Sequence, residues 1–174
     1  SDQSRAVRSF ATSTLALLMD LTTRVDPVIN ELCSVATTAE AHSIRASCFY
    51  ACAKVVGKAG SSASVDSLEK LRQILLQHVL DEDEDVRAAV VAAVSHTIRA
   101  SNTVSASVSS SISFANKVLA LVDNNEEYRE TAQRYLVFGA IVGGFEVKIE
   151  SGSGINAQLI FDEHTHSSVV LSKI

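Results

Sequence analysis

Asp81-Glu82-Asp83-Glu84-Asp85-Val86-Arg87-Ala88-Ala89 is the stretch that decides the fold. A run of five acidic residues breaks directly into an apolar residue, an arginine and two alanines. Negative charge is favoured at the positive end of a helix dipole, so the run predicts an inter-helix turn followed by a helix over Val86 to Ala100. The pattern recurs. Arg8, Arg45, Arg87 and Arg129 stand 37, 42 and 42 residues apart, each after a branched or aromatic residue: Val7, Ile44, Val86 and Tyr128. Asp2, Asp81 and Asp123 each precede one of these arginines by six residues, whereas the second repeat has Ala39 at that place, beside Glu40. Self-similarity near forty residues marks an array of helical hairpins.

The flanking sequence supports that architecture. Val7, Phe10, Ala11, Thr14, Leu15, Leu18 and Leu21 keep the three-four spacing of a buried helix face over Arg5 to Thr22, with Ser4 as its cap. Asp26-Pro27 predicts the start of the next helix, with Asp as cap and Pro where its missing N–H is harmless. Ser43 to Lys58 reads as a helix with Ile44, Cys48, Ala51, Cys52, Val55 and Val56 inward, ended by Gly60. Asp66 to Leu80 is the next. Ser101 to Ser113 reads as a loop or the weak start of a helix that clearly covers Ile112 to Val122. Tyr128 to Val142 is the last predicted helix, with Gly143-Gly144 ending it. From Phe145 the pattern changes: Val147 and Ile149 alternate with polar residues, and Ser151 to Gly154 reads as a linker before one more short hairpin.

The chain is therefore expected to be all-α, with residues 1–144 forming the second helix of one repeat plus three helix pairs. Residues 145–174 would be an irregular tail or a partial further repeat. One helix pair cannot bury its apolar stripe alone, so each pair needs its neighbours. The opening in mid-motif predicts a segment cut from a longer array. The spacing of six puts each aspartate in a turn and each arginine in the first turn of the following helix. Asp2, Arg8, Arg45, Asp81, Arg87, Asp123 and Arg129 would then form a structural ladder, each arginine reaching the acidic turn of an adjacent repeat.

Composition narrows the function. The 174 residues are 47% hydrophobic but only 5% aromatic, with one proline and no tryptophan, which suits closely packed helices with small contact residues. The formal charge is −5 and the basic residues are scattered, so direct nucleic-acid binding is not expected. No apolar run is long enough for a membrane helix. Three cysteines, Cys33, Cys48 and Cys52, form no disulfide framework and point to a reducing compartment, the cytoplasm.

The periodic pattern resembles that of HEAT repeats, α-solenoids of antiparallel helix pairs. In finer detail the chain resembles the C-terminal HEAT array of the ribosome-associated translational activators of general amino-acid control. The resemblance rests on Ser1-Asp2-Gln3-Ser4-Arg5-Ala6-Val7-Arg8, Arg24-Val25-Asp26-Pro27 with Glu31-Leu32, and Ile44-Arg45. It continues through Val55-Val56 with Ala59-Gly60, Ile74-Leu75-Leu76 and Val86-Arg87, in order, to about residue 100. It thins to Tyr128-Arg129 beyond that, and the last thirty residues depart from the family pattern. The resemblance implies a non-enzymatic scaffold that lies along ribosomes and passes a starvation or stalling signal to a protein kinase acting on a translation initiation factor. The kinase would be held by other regions of the parent chain. The alternative is a generic HEAT adaptor outside translation, of the transport or phosphatase-scaffold type.

Sites of chemistry are sparse. Cys48 and Cys52 share a helix face and would bind zinc only if two more ligands converged. Their apolar neighbours Ala51 and Val55 favour a place in the core. His164-Thr165-His166 reads as a solvated loop. The Asp81–Asp85 run lacks the alternating ligands and central glycine of a calcium loop. No nucleophile has a helper base at a recognisable spacing, so no catalytic residue, cofactor or metal is expected. Candidate partner contacts are the cations Arg5, Arg24, Lys54 and Lys58, and the acidic Asp83 and Glu84, the latter pair suited to a basic tail of a ribosomal protein.

Overall fold

The acidic turn leads into a helix, but that helix starts inside the acidic run and outlasts its predicted end. In the computed structural model it spans Glu84–Val104. The structure describes residues 2–21, 24–104, 108–129, 131–150, 157–161 and 169–173, with side chains described for 4–19, 21, 24–101, 110–129 and 131–145. Seven α-helices run through the described residues: α1 (Asp2–Leu18), α2 (Val25–Thr38), α3 (His42–Ala59), α4 (Val65–His78), α5 (Glu84–Val104), α6 (Val108–Asp123) and α7 (Ala132–Glu150). Short 3-10 turns follow α1 at Met19–Leu21 and α3 at Gly60–Ser62. Two strands, β1 (Ala157–Phe161) and β2 (Val169–Lys173), pair antiparallel, with Leu159 opposite Leu171.

The odd-numbered helices lie side by side, α1 on α3, α3 on α5 and α5 on α7. The even-numbered helices make a second row, with α2 on α4 and α4 on α6. That row packs on the first through α2 on α3, α4 on α5, and α6 on both α5 and α7. The core fills the space between the rows. Ile29 and Cys33 of α2, Leu71 and Leu75 of α4, and Val118 and Val122 of α6 meet Phe49, Val55, Val90 and Ile98 of the first row, all without exposure. Burying each of the larger side chains contributes roughly 1.5–3 kcal/mol. Ala46, Ala53, Ala89 and Ala93 are the small residues that let the central helices approach.

Local expectations fail where a neighbour overrules them. The stripe assigned to the buried face of the first helix is largely outside: Val7, Phe10, Leu18 and Leu21 are exposed, Phe10 by 77%. Helix α1 instead packs on α3 through Thr12, Ala16 and the following Met19. Among the described helices α3 is its principal neighbour, and α3 meets the face beside the stripe. Ser4 lies within α1 and is no cap; its Oγ accepts a hydrogen bond from Arg8 Nη1 at 2.6 Å. Asp26 caps a different helix from the one predicted. It sits in the first turn of α2, and its Oδ1 accepts the backbone N–H of Ser64 at 2.8 Å. Ser64 is itself the N-cap of α4, accepting from Ser67 N at 3.2 Å. Asp26 thereby ties the starts of two neighbouring second-row helices.

Gly60 ends α3 as predicted, whereas Gly143-Gly144 does not end its helix. Gly60 follows α3 in an ordinary right-handed conformation, φ −61°, and a methyl there would lie 2.5 Å from Ala100 Cβ. Close approach to α5, rather than a left-handed turn, is its role. Gly143 and Gly144 do not end a helix. They lie inside α7, which runs on to Glu150 through the segment read as alternating. The predicted boundary at residue 144 therefore falls within a helix, and helix α7 begins only after Tyr128 and Arg129, at Ala132. Ser101 and its neighbours belong to the end of α5, and α6 begins at Val108.

Gly144 faces α5 so closely that an added Cβ would lie 2.8 Å from Ser95 O and 2.9 Å from Ile98 Cβ, whereas Gly139 of the same helix has nothing within 4 Å. Opposite signs are expected from the same substitution. Gly139→Ala should stabilise by about 0.5–1 kcal/mol through helix propensity. Gly144→Ala should destabilise by about 1–3 kcal/mol through overpacking that the propensity gain does not offset. Urea unfolding of both variants checks this.

Candidate functional site

Among the described residues, polar side chains gather at the junction around Asp81 and in a groove between α1 and α3. The junction is built on a backbone device that occurs twice. Arg87 Nη1 donates to the carbonyls of Asp81 at 2.8 Å and Glu82 at 3.1 Å. Arg45 Nη1 donates to the carbonyls of Ala39 at 3.3 Å and Glu40 at 3.2 Å. Each arginine thus closes the turn that precedes its own helix, gripping carbonyls six and five residues upstream. A carbonyl is present whatever the side chain, so alanine serves at position 39 as well as aspartate does at 81.

Asp81 adds a second function to its turn. Its Oδ1 accepts from Arg45 Nη2 at 3.3 Å and from the backbone N–H of Asp83 at 3.1 Å, and its Oδ2 lies 3.0 Å from His78 Nδ1. The carboxyl joins α3, the end of α4 and the turn into α5. Burial of the carboxyl raises its pKa, but the His78 hydrogen bond, the Asp83 N–H and the Arg45 charge outweigh that and hold it below the usual carboxylate range. His78 also packs its ring on Phe49, with centroids 5.2 Å apart.

The remaining ladder residues diverge from the expected pairing. Asp123 pairs with Arg134 of α7, Nε to Oδ1 at 2.7 Å, and not with Arg87. The Arg87 guanidinium lies over the Tyr128 ring at 5.2 Å. Arg129 is exposed in the turn before α7, its own N–H bonded to Asn125 O. Among the described residues Arg8 donates to Ser4, within its own helix. Asp2 opens α1, and its side chain lies outside the described residues. Arg45 to Asp81 is the rung that joins one turn to the next.

The acidic run is not uniform. Asp81 points inward, and Asp83 is the cap of α5, its Oδ1 accepting Val86 N–H at 3.0 Å. Of the two acidic partner-contact candidates, Asp83 is therefore committed to the helix start, whereas Glu84 is exposed. Glu82 is also exposed, and its Oε1 lies 3.6 Å from His42 Nε2.

The groove holds two of the four cationic candidates. Arg5, Arg8 and Thr12 from α1 face Ser47, Tyr50 and Lys54 from α3, around a cavity of about 350 Å³. Lys54 Nζ donates to Ser13 Oγ at 2.6 Å. Asp85, at the start of α5, also borders the groove. Arg24 is exposed just before α2, and Lys58 is exposed near the end of α3; neither lines the groove. The four candidates are therefore not one stripe. The spacing of Ser43, Ser47, Tyr50 and Lys54 on one helix face is legible in sequence, but its facing partner on α1 is not.

The thiols shift in opposite directions, with the hydrogen bond from Cys52 holding Cys33 below the usual thiol range. Cys33, Cys48 and Cys52 are free and buried. The hydrogen bond with Cys33, followed by burial, pushes the Cys52 thiol up, and burial does the same to Cys48. Both therefore keep their protons, unlike a metal ligand or nucleophile. Among the described residues no three histidine, cysteine or acidic side chains gather as a metal-ligand group, and no helix is long and apolar enough to cross a membrane. His164 and His166 lie outside the described residues. No family model matches the chain, and no curated protein or solved structure was found to be similar to it.

Removing the Asp81 carboxyl takes one partner from Arg45, the partner of His78 and the acceptor of the Asp83 N–H, while the backbone closure by Arg87 remains, so Asp81→Ala should cost about 1–3 kcal/mol at neutral pH. Because the folded pKa is lowered, that stabilisation is complete above the unfolded value of about 4 and is lost as pH falls through the folded one. The deficit of the variant relative to the parent should be full at pH 7 and shrink below about pH 4. Denaturant titrations across that range measure it.

Proposed function

We propose that the chain is a non-enzymatic scaffold segment, an α-solenoid of HEAT-like antiparallel helix pairs. The observation that carries this is the repeated closure of a turn by the arginine of the next helix: Arg45 on Ala39 and Glu40, Arg87 on Asp81 and Glu82. Two successive repeats built by one local device, in two rows of helices with a core running between them, give an extended surface of the sort that arrays use to hold partners.

In this proposal the segment belongs to a ribosome-associated regulator that activates a translation-initiation-factor kinase when amino acids are short or ribosomes stall. The ordered sequence landmarks supply that part of the proposal, which places the chain in the cytoplasm. The segment would meet ribosomal proteins, and the kinase would be engaged by other regions of the parent chain. Charge favours a protein contact. A formal charge of −5 repels ribosomal RNA, and the outward Glu82 and Glu84 present carboxylates suited to a basic protein tail.

The test is sedimentation of the folded chain with purified ribosomes through sucrose at low and moderate salt. The expected result is saturable co-sedimentation that weakens as salt rises. A chain that is helical by circular dichroism yet stays in the supernatant would overturn the ribosome contact and favour an adaptor working outside translation.

A further inference from the structure

The groove between α1 and α3 concentrates positive charge on a protein whose total charge is negative. Arg5, Arg8 and Lys54 line it against the single carboxylate of Asp85. Among the described residues, none of the three cations is in an ion pair. Arg8 and Lys54 donate only to the neutral hydroxyls of Ser4 and Ser13, each at 2.6 Å. Three cations gathered around one carboxylate, with no ion pair of their own among the described residues, are available to an anionic ligand. Guanidinium groups offer such a ligand the planar donor geometry that carboxylates match. Thr12, Ser47 and Tyr50 bring hydroxyls to the same walls, and Tyr50 is 40% exposed, leaving ring surface for the stem of a ligand side chain.

We infer that this groove binds a short acidic peptide segment of a partner protein, with Arg5, Arg8 and Lys54 meeting its carboxylates and Tyr50 packing on its aliphatic stems. The inference is independent of the ribosome contact proposed above, which places carboxylates of this chain against a basic partner. A protein segment fits better than a nucleic acid for two reasons. The cavity, about 350 Å³, takes a few side chains and not an extended backbone. A longer polyanion leaving it toward α5 would run onto Asp85 and the exposed Glu84 and Glu82. An acidic peptide can place its charged residues in the groove and neutral ones beyond it.

Fluorescence anisotropy with a fluorescein-labelled octaglutamate peptide tests this, with a labelled oligouridine as the competing polyanion. The parent chain should bind the peptide more tightly than the oligouridine, and salt should weaken the complex. Arg8→Gln combined with Lys54→Gln should weaken peptide binding by about tenfold or more. Lys117→Gln, which removes an exposed lysine outside the groove, should leave binding within about twofold. Arg5→Gln touches an exposed side chain with no hydrogen bond among the described residues, so it remains informative if the double variant folds poorly; it should weaken binding by about threefold. The inference is overturned if the parent does not bind the peptide, or if the folded groove variants bind as the parent does. Tighter, groove-dependent binding of oligouridine would also overturn it and assign the groove to nucleic acid.

Discussion

The arrangement of the helices turns on one buried carboxylate. Asp81 is held by Arg45 from α3, His78 from α4 and the N–H of Asp83 at the start of α5, while its own carbonyl accepts Arg87. With its side chain only 7% exposed, an unpartnered charge there would be costly, so the three contacts to the carboxylate support one another. They fix where α4 ends and where α5 begins, and how α3 stands beside α5. The central core residues, from Phe49 to Ile98, pack between helices whose ends are set by this junction.

A second constraint is the closeness of the first row. Gly60, Gly144 and the alanines of α3 and α5 leave no space for larger side chains, and an added methyl at Gly57 would already lie 2.8 Å from the His96 ring. Burial, with Arg99 second, pushes the His96 imidazole below its usual range, so it sits neutral over that glycine. Tight packing of one row also explains how a chain poor in aromatics builds a continuous core. Contact area comes from backbones lying close together, where larger side chains would hold them apart.

The outer surfaces are polar in an organised way. Asp81 and Asp83 are used inward and Glu82, Glu84 and Asp85 face outward, so one short turn caps a helix, holds the junction and presents carboxylates to solvent. Between α1 and α3, bordered by Asp85 of that same run, Arg8 and Lys54 have hydroxyl partners among the described residues. A scaffold with an acidic turn and a basic groove on neighbouring helices has two surfaces of opposite preference, and its ligands are separated by charge before any detailed fit is made.

Sequence alone determined what depends on local chain geometry. The mostly helical chain, the recurring turns and the places of Arg45 and Arg87 in the first turns of their helices were legible because they follow from local spacing, whereas the closure of each arginine on the carbonyls of its own turn came from the structure. The burial of Cys48 and Cys52 was legible for a similar reason, since a helical spacing among apolar residues defines a face, whereas that of Cys33 was not read from its helix. Tertiary structure decided what depends on neighbours. The apolar stripe of α1 has perfect helical spacing, yet Phe10 lies outside because α3 meets another face. Gly143-Gly144 looks like a helix end and is a helix interior, because Ser95 and Ile98 of α5 leave no room for a side chain. Asp26 reads as a cap for α2 and secures the start of α4, and Asp123 finds Arg134 in place of the expected partner. The groove combines a face of α1 with a face of α3. Periodicity can define each face, but only packing brings the two together.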